Sequence, residues 1–98
     1  MIKLAVTLKL LALLGLCPHK MVVTSGFRTP KKNAAVGGAH ESFHLKGEAV
    51  DIRIWHLSRK QRQCLAEYAP KLFNGVIKYP KHWHLDIRET PYHGKGVY

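Results

Sequence analysis

Histidine suits both metal ligation and proton transfer near neutral pH, and this chain of 98 residues has seven of them. His82, His84, Asp86 and Arg88 stand at alternate positions, with Trp83, Leu85 and Ile87 between them. Successive side chains of a strand point to opposite faces, so the three apolar residues take one face and the polar four share the other. A strand gains no packing from His, His and Asp in succession, whereas a metal or a catalytic network uses all three. His44 stands seven residues before Asp51, with Gly47 between as a turn that lets a loop imidazole and a strand carboxylate face one point. With His84 they supply two imidazoles and a carboxylate, the ligand set of a catalytic zinc site whose fourth position stays open to water. Cys17 and Cys64 lack CxxC spacing and a companion pair; one disulfide is open to them, but buried thiols are expected, with no sulfur on a metal.

The elements that must position these groups follow from periodicity. Met1 to Cys17 reads as an amphipathic first helix packed on the domain, closed near Gly15 to Pro18. Met21 to Thr24 is a short β-like run, and Ser25 to Gly47 is a long Gly-, Pro- and His-containing loop of the kind that carries function. Ala49 to Ile54 alternates, placing Val50, Ile52 and Ile54 on a core face and Ala49, Asp51 and Arg53 on the other, away from the core. Ser58 and Gln61 form a capping-box start for a helix through Leu65, Tyr68, Ala69, Leu72 and Phe73, which Pro70 is expected to end or bend. Gly75 to Tyr79 and Trp83 to Arg88 read as an antiparallel hairpin. The fold class expected is α+β: a single domain, residues 1–98, with a small antiparallel sheet and flanking helices.

Composition is that of an ordinary globular domain, 46% hydrophobic and 22% charged, which excludes disordered and fibrous classes. Sixteen Lys and Arg against six Asp and Glu give a net charge of +10, which suits a polyanionic partner or a solvated basic surface. The basic residues are scattered from Lys3 to Lys95 without a dense run or a nucleic-acid motif, so no specific nucleic-acid partner is expected. The apolar stretch before Cys17 is interrupted by Lys9, is too short to span a bilayer and lacks a small-x-small cleavage site. Neither a transmembrane segment nor an export signal is read from it, and a monomer made in the cytoplasm is the expectation.

Three stretches carry a more specific likeness: Ser25 to Asn33 (SGFRTPKKN) with Val36 to Ala39 (VGGA), Ser42 to Asp51 (SFHLKGEAVD), and Gly75 to Pro80 leading into His82 to Asp86 (HWHLD). In this order, across residues 25–88, they resemble the signature of the M15 peptidases, zinc D-alanyl-D-alanine carboxypeptidases and phage peptidoglycan endopeptidases that share a hedgehog-like zinc fold. The resemblance implies Zn2+ held by His44, Asp51 and His84, with a peptidoglycan peptide as substrate and a cell-wall or periplasmic site of action. It implies that Arg28 pairs with the substrate's carboxylate or carbonyl oxygen, for which a guanidinium fork is suited. Ser42 and Asn33 would shape the substrate pocket or hold the loop, or serve only as turn residues. Many members carry an acid three positions before the last histidine ligand, where this chain has Lys81; other members, and the hedgehog zinc domain, carry a histidine two positions before it, as His82 does. His82 is then the expected proton shuttle or transition-state donor, and Asp86 either supports a ligand or is an alternative base. Both a carboxypeptidase and an endopeptidase fit, and a non-catalytic zinc module binding cell-wall peptide or a protein partner is the competing reading.

Overall fold

The computed structural model describes residues 2–25 and 47–96. Arg28, Asn33, Ser42 and His44 lie outside the described residues. Helix α1 spans Leu4–Leu16 and α2 spans Arg59–Leu72; the strands are β1 (Val23–Ser25), β2 (Ala49–Arg53), β3 (Gly75–Lys78), β4 (His82–Asp86) and β5 (Tyr92–Lys95). The strands form one sheet in the order β1-β2-β4-β3-β5. All pairs are antiparallel except β3 with β5, which run parallel. The α+β class expected from the sequence is the observed one, with a mixed sheet and a fifth strand beyond the expected hairpin.

The core lies between one face of the sheet and the two helices. Val50, Ile52, Val76, Trp83 and Leu85 pack there with Val6, Leu13, Leu65, Ala69 and Phe73. The alternation in β2 and β4 therefore does what the sequence implied: their apolar residues close the core, and Asp51, Arg53, His82, His84 and Asp86 are left to the other face.

Three expectations are corrected. Cys17 and Cys64 form a disulfide joining the end of α1 to α2, rather than remaining thiols; the packing of the helices on each other brings their Cα atoms to 5.8 Å, inside the range a bridge requires. Helix α1 packs on the domain through Val6 and Leu13, but Leu4, Leu8 and Leu11 are 55 to 70% exposed, so it is apolar on both faces rather than amphipathic. Of the two outcomes expected at Pro70, an end to α2 is the one overturned, since the helix continues to Leu72. A proline in the last turn removes only one intrahelical bond, and the Phe73 N–H still donates to Ala69 O at 2.8 Å. At the other end the capping box is formed, with Gln61 N–H donating to Ser58 Oγ and Ser58 N–H to Gln61 Oε1.

Candidate metal centre

The register of β2 against β4 places Asp51 directly across from His84, Arg53 across from His82, and Ala49 across from Asp86. Gly47, just before β2, has φ 70°, the left-handed backbone that glycine adopts without strain, and it turns the chain into the strand as its position suggested. Asp51 is buried although it faces away from the hydrophobic core, while Arg53, His82 and His84 on the same face are partly buried.

Asp51 Oδ1 lies 3.1 Å from His84 Nδ1. The other ring nitrogen, Nε2, donates to Asp86 Oδ2 at 2.6 Å. Asp86 is fully buried, and its oxygens also accept from Arg88: Oδ1 from the backbone N–H at 3.0 Å and from Nε at 2.8 Å, Oδ2 from Nη2. Room for this carboxylate comes from Gly75, its cross-strand neighbour on β3, where a Cβ would stand 1.9 Å from Asp86 Oδ1.

The electrostatics follow from the geometry. Burial alone lowers the His84 pKa, but the hydrogen bonds and charges of Asp51 and Asp86 outweigh it and raise the value above 6.5. Burial pushes the Asp86 carboxyl up, while the Arg88 and His84 hydrogen bonds hold it well below the usual carboxylate range. Arg88 is raised by its bond to Asp86. His84 thus sits between two carboxylates, both of which favour its protonated form. Removing the Nδ1 proton leaves a lone pair directed at Asp51, because Asp86 keeps its hold on Nε2–H.

Whether a zinc ion fits can be judged from the donor pair. Two ligand atoms of a tetrahedral zinc, each at about 2.0–2.1 Å, stand about 3.3 Å apart, close to the Asp51–His84 separation. Two donors do not make a complete centre: among the described residues no three His, Cys, Asp or Glu side chains are arranged to hold a metal ion. The expected third ligand, His44, is outside them.

His82 lies on the same face as His84, its ring stacked on Tyr79 with centroids 4.7 Å apart and no hydrogen bond from that ring to any described residue. Lys81 is exposed. Asp86 does not support the reading of an alternative base, because it is shut from solvent and both its oxygens are occupied. Arg88 was legible as part of this face, but its hold on Asp86 was not. Gly75 was missed; a glycine opening a strand was the only signal.

A family model described as peptidase M15 matches residues 2–86. The chain belongs to the peptidase M15 family. The match runs from α1 through β4, so this M15 chain carries the Asp51–His84–Asp86 arrangement within the family's own extent, and its class is that of a peptidase, a hydrolase of peptide bonds. No curated protein matches it in sequence. No described helix is long and apolar enough to cross a membrane.

Proposed function

We propose that this M15 chain is a zinc-dependent peptidase acting on bacterial cell-wall peptides, with Asp51, His84 and His44 as its metal ligands. The observation that carries the reading is the facing pair Asp51 Oδ1 and His84 Nδ1, with the far nitrogen of His84 tied to buried Asp86. A metal-binding imidazole needs this arrangement, since an anchored Nε2–H fixes both the ring orientation and the tautomer. When bound, zinc supplies Lewis acidity and lowers the pKa of a water molecule.

The chain's own groups have separate tasks. Asp86 and Arg88 hold His84. His82, two positions away on the same face, its ring stacked on Tyr79 and making no hydrogen bond to a described residue, is the group we assign to carry a proton towards the leaving amine, the task that an acid at the Lys81 position would otherwise take. Arg28 is assigned to the substrate's carboxylate or carbonyl oxygen, with Ser42 and Asn33 beside it. A net charge of +10 favours approach to anionic cell walls. Lys81 in place of an acid is what favours the second reading, a zinc module that binds cell-wall peptide without turnover.

Metal analysis of the purified protein, with digestion of muropeptides in the presence and absence of a chelator, separates the readings. The expected result is about one zinc per chain and product release that stops with chelator and in His84→Ala. Zinc-loaded protein inert on a muropeptide panel would favour the binding module. Failure to bind zinc at all would sink both.

A further inference from the structure

The polar face of the sheet continues past the Asp51–His84 pair in two directions, and they differ. Towards Asp86, the guanidinium of Arg88 is consumed by the buried carboxylate. Towards the other end, the next cross-strand pair is Arg53 and His82, and there the cation is not neutralised. Arg53 is half-buried, and no carboxylate among the described residues pairs with it.

Arg53 is nonetheless held in place. Its Nε donates to His56 Nδ1 at 3.1 Å, and His56 Nε2 in turn donates to Lys20 O at 2.7 Å, which settles the tautomer that lets Nδ1 accept. The guanidinium lies over the ring of Trp55, 4.6 Å from its centroid. Trp55 is 60% exposed, an uncommon state for so large an apolar side chain. With Nε bonded and one face stacked, what remains of Arg53 is the edge formed by its two terminal nitrogens, the edge that binds a carboxylate with two parallel hydrogen bonds.

We propose that Arg53, propped by Trp55 and His56, is an anion subsite that takes a free carboxylate of the peptide substrate. Arg53 follows Asp51 by two positions on β2, so their Cα atoms stand about 6.6–6.8 Å apart, and the guanidinium reaches on from there over Trp55 and towards His56. A carboxylate there belongs to an acidic side chain or a chain end displaced from the scissile bond, and the apolar body of the same residue packs on Trp55. The substrate class is therefore an acidic peptide lying on the Arg53 side of the metal pair. This rests on the peptidase reading for its substrate but not for its test.

The test uses synthetic pentapeptides in which a single glutamate, or a glutamine in its place, is walked through every position. Binding to metal-free protein is measured by calorimetry, and turnover by zinc-loaded protein by chromatography. At one position the wild type is expected to bind the glutamate peptide about 10- to 100-fold more tightly than the glutamine peptide. Arg53→Gln should bind both at the weaker level with unchanged zinc content, Arg53→Lys should recover part of the preference, and exposed Trp55→Ala should reduce it without unfolding the protein. The subsite is overturned if the wild type shows no preference at any position, or if Arg53→Gln keeps it. Binding preference without turnover would count against the peptidase reading and leave the subsite standing.

Discussion

At the scale of single residues, His84 is the centre on which the site turns, and its behaviour is set by Asp51, by Asp86 and, through Asp86, by Arg88. Asp86→Asn removes the charge that holds the Nε2 proton and should lower zinc affinity about 10- to 100-fold, measured by competition with a chromophoric chelator. Gly75→Ala should lower it in the same direction, because a methyl group at that position occupies the space of the Asp86 carboxylate. Affinity equal to wild type in both variants would show that the anchor is dispensable. The two shifted groups also predict how metal-free protein responds to pH. Asp86, held low when folded, contributes stability above the ordinary carboxylate value that is lost as pH falls through its folded value. His84, held high, contributes stability below 6.5 that is lost as pH rises through its folded value. Between those limits both contributions are present, and in Asp86→Asn the acid limb of a thermal-melt series should flatten.

At the scale of elements, α1 divides its leucines sharply. Leu13 is fully buried, and Leu13→Ala should cost about 2–5 kcal/mol in chemical denaturation. Leu8 is mostly exposed, and Leu8→Ala should change stability by no more than about 0.5 kcal/mol. The reverse order, with Leu8→Ala the costlier, would mean that the helix packs by its other face. The helices and strands that bury an alternating or helical pattern were legible in the sequence: β2, β4 and the capped start of α2 fall where Val50, Ile52, Leu85 and the Ser58–Gln61 pair place them. Strand β5 was not, because Tyr92–Lys95 buries little and is defined by backbone pairing with β3. The continuation of α2 past Pro70 was hidden for a related reason, since the last turn of a helix tolerates what its middle does not. Of the site, the sharing of one face by Asp51, His84 and Asp86 could be read from alternation. That Arg88 and Gly75 decide where Asp86 sits depends on register between strands, which no local pattern encodes.

At the scale of the whole molecule, a domain this small has limited core, and the Cys17–Cys64 bridge supplements it. By the chain-entropy account, closing a loop with a sequence separation of 47 residues is worth about 4 kcal/mol, a large share of the roughly 5–15 kcal/mol that domains possess. Reduction should therefore lower the denaturation midpoint markedly, and an unchanged midpoint after verified reduction would show that α1 and α2 hold each other without it. The bridge has a second consequence. It turns residues 18–63 into a covalent ring that contains Asp51 and Arg53, as well as Arg28 and His44, while His84, Asp86 and Arg88 lie on the tail beyond it. One proteolytic cut anywhere in that ring leaves both fragments tied together, so the clipped molecule migrates as a single species until a thiol is added. The Asp51 and His84 halves of the site then travel together or part according to where the cut falls, before or after residue 51, and only once the bridge is opened.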